Sequence, residues 1–181
     1  MTSTGEQPFG AARVQRIVLT GFMGSGKSTV GPLVAARLGW RFIDADNVIE
    51  AEAGCKIAEI FARQGEAAFR ELEHATIARL AASNNLVLAL GGGAIERAET
   101  RQLLLTGAGT LLAHLEVTLA ATLTRCSGTE GDRPVLADRA NLEARYARRL
   151  PLYREAHVTV RVDALTPEEA ADQVIKAAGL A

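Results

Sequence analysis

Near its beginning the chain carries the segment Gly21-Phe22-Met23-Gly24-Ser25-Gly26-Lys27-Ser28. A short apolar run, residues 16–20, precedes it and has the character of a buried strand. Residues 29–38 follow, with apolar side chains at helical spacing up to Gly39. A strand, a turn with the spacing G-x-x-x-x-G-K-S and a helix together form the pattern of a P-loop. A chance glycine-rich turn is the alternative, and the flanking strand and helix argue against it.

Each residue type in this segment suits a phosphate group. Glycines let the backbone curl until several N–H groups point inward, and the following helix adds the positive end of its dipole. Lys27 would supply a cation for the β- and γ-phosphates, and Ser28 a hydroxyl for Mg²⁺. The segment therefore predicts nucleoside triphosphate binding, but it does not identify the phosphoryl acceptor.

Strand and helix patterns alternate along the rest of the chain. We predict strands at residues 16–20, 40–43, 86–90, 110–115 and 158–162. We predict helices at residues 29–38, 47–53, 57–63, 66–82, 97–105, 118–126, 141–150 and 167–178. This alternation is typical of an α/β fold, a three-layer α/β/α sandwich with helices on both faces of a parallel sheet. Such sheets bind ligands beyond the carboxyl ends of their strands.

Composition limits the function classes. The 181 residues suffice for about one domain, which we assign to residues 13–181 after a flexible tail at 1–12. Aromatic residues make up 4% and the net charge is −1, so we expect neither nucleic-acid nor membrane partners. The two cysteines, Cys55 and Cys126, indicate free thiols in the reducing cytoplasm.

Two carboxylates follow the second predicted strand. If that strand continued through Asp44 and Asp46, both side chains would face one side. They could then hold Mg²⁺-bound water or accept a proton from a substrate hydroxyl. The structural alternative is that Asp46 is the N-cap of the next helix. Their position one helix after the P-loop favours a functional role.

Further along, Gly91-Gly92-Gly93 follows a buried strand, which predicts close backbone approach or positive φ. A ligand carboxylate could bind their N–H groups, although a loose turn is the alternative.

Arg70 could be a binding residue or only a solvated charge on its helix. Arg148 and Arg149 are adjacent on a predicted helix, so at most one should face a site.

Residues 127–134 read SGTEGDRP, in which glycines flank a single arginine, Arg133. This composition predicts a movable loop that brings positive charge to a phosphoryl-transfer site, with a plain surface loop as the alternative. His74, His114 and His157 lack metal-ligand spacing, and we interpret all three as structural or surface residues.

Together these motifs resemble the shikimate kinase family over nearly the whole chain, about residues 17–178. The resemblance depends on residues 21–30 (GFMGSGKSTV), 42–50 (FIDADNVIE), 60–70, 91–93, 133–134 and 149–153 (RLPLY). It implies ATP-dependent phosphorylation of the 3-hydroxyl of shikimate, in chorismate and aromatic amino acid biosynthesis. It also implies a five-stranded parallel sheet in the order 2-3-1-4-5 and a mobile lid at about residues 125–138.

The resemblance implies roles for residues on the nucleotide side. ATP would bind to Gly24, Ser25, Gly26, Lys27, Ser28, Thr29, Arg125 and Arg133. Lys27 would contact the transferred phosphate, and Arg133 would close onto it with the lid. Ser28 would ligate Mg²⁺, and Asp44 would hold metal-bound water. Arg125 and the segment after Val162-Asp163 would lie along the adenine.

On the acceptor side, Asp46 would bind shikimate hydroxyls and act as base or orienting group. The shikimate carboxylate would be held by Arg70, Gly92, Gly93 and Arg149, with Glu73 orienting the arginines. The implied partners are shikimate and ATP, and the expected state is a monomer.

The P-loop allows three alternative functions. A gluconate kinase would share the P-loop without needing this carboxylate clamp. A nucleoside monophosphate kinase would present a second phosphate-binding set of arginines. A regulatory protein that has lost catalysis is disfavoured by the intact Lys27, Ser28, Asp44, Asp46 and Arg133.

Overall fold

The structure of the protein is a computed structural model that describes residues 13–126 and 139–180. Its strands are β1 (Arg16–Thr20), β2 (Arg41–Asp44), β3 (Leu86–Ala89), β4 (Thr110–Glu116) and β5 (Val158–Arg161). Its helices are α1 (Lys27–Leu38), α2 (Ala45–Ala53), α3 (Ile57–Leu80), α4 (Ala98–Thr106), α5 (Leu119–Cys126), α6 (Arg139–Tyr153) and α7 (Pro167–Ala177). A short 3₁₀ turn spans Ala94–Glu96.

The five strands form one parallel sheet in the order β2-β3-β1-β4-β5, as expected. Strand β1 lies at the centre, and it pairs with β3 on one side and β4 on the other. All five residues of β1 are buried, as are all four residues of β3. Because every strand runs in the same direction, the carboxyl ends of all five lie along one edge.

Helices cover the sheet and enclose the main hydrophobic core. Helix α1 packs against α7 and against β1, β2 and β3, while α4 packs on β4. A separate small cluster of Ile49, Ile60 and Phe69 joins α2 to α3. Within the described part of the chain, no helix is long and apolar enough to span a membrane.

Most element boundaries lie within one or two residues of the predicted ones, and three differences have clear causes. Helix α2 begins at Ala45, two residues early, because the Asp44 side chain accepts from the Asp46 and Asn47 N–H groups. The expected break near Gly65 is present as a kink with φ 81° and ψ 172° inside α3. Helix α6 continues through Pro151, whose missing N–H affects only its final turn.

Candidate active site

A cleft of about 690 Å³ opens along the carboxyl edge of the sheet. Its walls include residues 23–28 of the P-loop, Asp44 at the end of β2, Asp46 in α2, and Gly91 and Gly92 after β3. On the other side it is closed by Arg125, Cys126, Val162, Leu165, Thr166, Pro167 and Ala170. The three segments singled out in the sequence therefore meet in one cleft.

The P-loop connects β1 to α1 by a backbone that only glycine adopts readily at three positions, the first of which is Gly21 with φ 150°. Gly24 has φ 75° and Gly26 has φ 90°, both in the left-handed region. Gly26 is the N-cap of α1, so Lys27 and Ser28 begin the first turn, where backbone N–H groups are available to an anion, while the Thr29 N–H donates to the Gly26 carbonyl at 3.0 Å. Lys27 Nζ donates to the Gly21 carbonyl at 2.7 Å and the Phe22 carbonyl at 3.2 Å.

Asp44 and Asp46 do not lie on one face of a strand. Asp44 ends β2 and is the N-cap of α2, since its Oδ1 accepts from Asp46 N–H at 2.9 Å. The alternative in which Asp46 caps the helix is therefore wrong, because Asp46 lies in the first turn. Burial, together with the charges of Asp44 and Glu73, raises the pKa of Asp46 to about 6, although Lys27 opposes this.

The triple glycine is packed tightly against charged side chains. A Cβ on Gly91 would lie 2.6 Å from Asp46 Oδ1, and a Cβ on Gly93 would overlap the Arg70 guanidinium. Neither glycine has positive φ, so close approach is what requires them. The alternative of a loose turn is wrong.

Arg70 and Glu73 form a buried pair on α3, three residues apart. Arg70 Nη1 donates to Glu73 Oε2 at 2.7 Å, and the side chains are 19% and 4% exposed. The Arg70 guanidinium also lies 5.3 Å from the Phe69 ring centroid. Burial raises the pKa of Glu73, while Arg70 and Arg149 act in the opposite direction. Arg70 is therefore not the solvated helix-face charge that was the alternative.

The adjacent arginines of α6 differ in exposure, as expected. The Arg149 side chain is 10% exposed and the Arg148 side chain 60% exposed. Arg149 Nη1 lies 3.5 Å from the position a Cβ on Gly92 would take. Arg149 therefore meets the glycine segment at Gly92, and Arg70 meets it at Gly93.

Arg70, Arg149 and the glycine segment at residues 91–93 form one corner of the site. Two further residues of this corner were not singled out from the sequence. Tyr153 Oη donates to the Gly92 carbonyl at 2.6 Å, and Glu96 accepts from Arg149 Nε. The available signals were the place of Tyr153 in the RLPLY segment and an acidic residue three positions after the triple glycine.

Arg125 joins the P-loop to the segment after β5. Its Nη1 donates to the Gly24 carbonyl at 3.1 Å, and its Nη2 to the Val162 carbonyl at 2.7 Å. Arg125 thus lines the cleft. Arg133 and most of the expected lid lie outside the described residues, as does the expected tail at residues 1–12.

The histidines have structural surroundings. His157 Nδ1 accepts from Leu112 N–H at 2.9 Å, and His74 Nδ1 lies 2.9 Å from Thr100 Oγ1. Burial lowers the pKa of His114 to about 4, so its ring is neutral at pH 7. Across residues 13–126 and 139–180, no three His, Cys, Asp or Glu side chains group together as a metal site.

The chain is similar to known proteins over most of its length. A family model described as shikimate kinase matches residues 23–178. The chain belongs to the shikimate kinase family. The shikimate kinase of Synechococcus sp. is 40% identical over 163 residues, which cover 88% of this chain and 80% of that protein. The shikimate kinase of Salinibacter ruber is 43% identical over 159 residues, covering 82% and 77%.

A solved structure is similar over the same region. The shikimate kinase from Acinetobacter baumannii in complex with shikimate superposes with a TM-score of 0.82 at 34% identity. The match covers 90% of this chain and 92% of that one. The resemblance to the shikimate kinase family and the P-loop kinase fold predicted from the sequence are therefore confirmed.

Proposed function

We propose that this protein transfers the γ-phosphoryl group of ATP to the 3-hydroxyl of shikimate, giving 3-phosphoshikimate and ADP in aromatic amino acid biosynthesis. The observation that carries the proposal is one cleft lined by the P-loop, Asp46, Gly91 and Gly92, with Arg149 beside Gly92 and Arg70 beside the adjoining Gly93. Asp46 lies between the P-loop and this corner of the site, in contact distance of the glycine segment. Family membership favours this reaction over gluconate or nucleoside monophosphate phosphorylation.

The acceptor corner has the chemistry that a small anionic polyol needs. Arg70 and Arg149 face Gly93 and Gly92 respectively, so guanidinium forks and backbone N–H groups converge on one place. A carboxylate binds well to both kinds of donor. Glu73 neutralises part of this positive charge and fixes Arg70 through a 2.7 Å bond. This corner would therefore hold the shikimate carboxylate.

Asp46 would bind the hydroxyls and accept or orient the proton of the attacking one. Its pKa of about 6 leaves it largely ionised at pH 7, yet more basic than an ordinary carboxylate. Lys27 lowers the pKa of Asp46 because its positive charge attracts the Asp46 carboxylate. The base and the phosphate-binding lysine are thus arranged across the same cleft.

The nucleotide half would bind ATP through the P-loop. Backbone N–H groups of Gly24, Ser25, Gly26, Lys27, Ser28 and Thr29 would surround the phosphates, with the Lys27 ammonium on the transferred group. Arg125 would lie along the adenine beside Val162. Arg133 would add positive charge from the lid during transfer.

The donor set suits Mg²⁺ brought in with the nucleotide. Ser28 and Asp44 offer oxygen ligands, and Mg²⁺ is usually held by one or two carboxylates plus substrate phosphates. Asp44 uses Oδ1 for its cap bonds, which directs Oδ2 to other partners. When bound, Mg²⁺ would neutralise phosphate charge.

We further infer a cytoplasmic monomer with one domain at residues 13–181, consistent with its near-neutral charge.

The test is ADP release with Mg²⁺-ATP, using shikimate and gluconate as parallel acceptors and a control without acceptor. We expect ADP formation with shikimate only. Formation only with gluconate would retain a P-loop kinase and overturn the carboxylate argument. Folded protein that binds ATP but forms no acceptor-dependent ADP would support the regulatory reading.

A further inference from the structure

An acidic side chain faces the second arginine of the acceptor corner. Glu96 ends the 3₁₀ turn that follows the glycine segment, and its side chain is 24% exposed. One carboxylate oxygen, Oε1, accepts from Arg149 Nε. The other, Oε2, accepts from Arg148 Nη2 at 3.2 Å. Glu96 therefore contacts the Arg149 guanidinium on its Nε side.

The geometry leaves a defined part of the guanidinium for other partners. A guanidinium offers five N–H donors in a fixed plane, so fixing Nε fixes the direction of both Nη groups. In this arrangement Nη1 lies beside Gly92, 3.5 Å from the position of a Cβ there. The terminal nitrogens thus face the segment where the substrate carboxylate would bind.

Glu96 is itself held in place. Arg101 Nη1 donates to the Ile95 carbonyl at 2.7 Å and the Glu96 carbonyl at 3.1 Å. Arg101 Nε in turn pairs with Glu155 at 3.0 Å. The turn that presents Glu96 is therefore fixed through its backbone, independently of Arg149.

The Glu96 carboxylate is charged at neutral pH. Burial alone would raise its pKa, but hydrogen bonding from Arg149 and the charges of Arg149 and Arg148 outweigh burial and lower it. A charge-assisted bond to an ionised carboxylate is about twice as strong as a neutral one. Such a bond suffices to select one orientation of a long side chain.

We infer that Glu96 is a positioning residue that fixes Arg149 through Nε and aims its Nη groups at the carboxylate of the acceptor. Glu96 would do for Arg149 what Glu73 does for Arg70, from the opposite wall of the corner. This inference rests on the proposed function, because it requires a carboxylate-bearing acceptor. The contrary possibility is that Glu96 competes with the substrate for Arg149, in which case removing it would tighten binding.

The test compares Glu96→Gln and Glu96→Ala with the wild type. Glutamine keeps an acceptor for Nε–H but loses the charge, whereas alanine loses both. We expect the KM for shikimate to rise several-fold in the first and about tenfold or more in the second. The KM for ATP and kcat should stay within about twofold, since the bond acts on ground state and transition state alike.

Two controls separate positioning from a general structural effect. Glu71→Gln removes an equivalent charge at a side chain that is 70% exposed and paired with Arg97, and it should leave all constants unchanged. A shikimate analogue with the carboxylate reduced to a hydroxymethyl group should show equal KM values in wild type and variants.

The outcomes are distinguishable. An unchanged or lowered shikimate KM in Glu96→Ala, or an equal loss with the reduced analogue, overturns the inference while the wild-type activity stands. Absence of shikimate-dependent ADP in the wild type overturns the proposed function and the inference with it. If Glu96→Ala fails to fold, Glu96→Gln, which keeps size and an acceptor, decides the question.

Discussion

The hydroxyl of Tyr153 donates a 2.6 Å hydrogen bond to the carbonyl oxygen of Gly92. Tyr153 is 1% exposed, and its ring stacks on His114 with centroids 5.1 Å apart. Burial raises the pKa of Tyr153 well above its usual value, so the hydroxyl keeps its proton and stays a donor. The last residue of α6 therefore fixes the glycine segment, to which the proposed function assigns the acceptor carboxylate.

Tyr153→Phe should loosen that segment and weaken the acceptor site. We expect a several-fold rise in the KM for shikimate and a loss of about 1 kcal/mol in the free energy of unfolding, because the partly buried Gly92 carbonyl loses its donor. The matched control is Tyr146→Phe, which removes a 3.0 Å bond to the Val117 carbonyl. Steady-state kinetics should show a KM change in the first variant only; equal KM changes in both would contradict the role.

Lys27→Met should reduce kcat by about 100- to 1,000-fold, because it removes the positive charge that would contact the transferred phosphate. Lys176→Met, a substitution on an exposed residue of α7, is the control and should be fully active. Thermal melting of both variants checks folding. Near-normal turnover in Lys27→Met would refute the P-loop assignment.

Asp46→Asn keeps size and polarity but loses the anionic acceptor. We expect kcat to fall by about 10²- to 10⁴-fold, the usual contribution of a general base, with weaker shikimate binding. In the wild type, kcat/KM for shikimate should fall as pH drops below about 6, where Asp46 becomes protonated. Unchanged kcat and KM in the variant would remove Asp46 from the reaction.

The same substitution should stabilise the fold at neutral and alkaline pH. The native pKa of Asp46 is raised from 3.8 to about 6, so the native state binds this proton more tightly than the unfolded state. Ionisation therefore costs stability, which is lost as pH rises through this window and remains lost above it. The cost is about 3 kcal/mol at one pKa unit per 1.36 kcal/mol.

Melting curves check this sign. At pH 8 we expect the Tm of Asp46→Asn to exceed that of the wild type by roughly 6–12 °C. The difference should shrink as pH falls through this window and vanish below about pH 3, where the wild-type carboxyl is protonated in both states. A variant less stable than the wild type at pH 8 would show that the Asp46 anion is stabilised in the fold.

Gly93→Ala should damage the acceptor corner by sterics alone. The new Cβ would overlap the Arg70 guanidinium and displace it from Glu73. We expect a shikimate KM at least tenfold higher, with a smaller effect for Gly92→Ala, whose Cβ would meet its nearest neighbours at an ordinary 3.5 Å. The reverse order of the two KM values would contradict the packing described.

Local features of the fold and site were predictable because their causes are local. The P-loop spacing, the break at Gly65 and the glycine segment are each specified by residues adjacent in the chain. The strand order came from the family resemblance, since strand periodicity alone does not specify which neighbours pair.

The parts that were missed depend on distant residues. Glu96 and Arg149 are 53 residues apart, and Tyr153 and Gly92 are 61 apart, so no periodic pattern links them. The predicted start of the helix after β2 was wrong for a different reason. Asp44 and Asp46 are equally suitable N-caps, and only the pairing of Asp44 with Ala89 extends the strand far enough to choose between them.

The central position of β1 divides the enzyme into two halves that can change separately. Under the proposed function, strands β2 and β3 with helices α2 and α3 would present the acceptor groups, while β5, α5 and α7 would surround the nucleotide base. Arg149 is the exception, since it reaches the acceptor corner from α6. Selection for a new hydroxylated acid can therefore act on one flank of the sheet and leave nucleotide recognition intact.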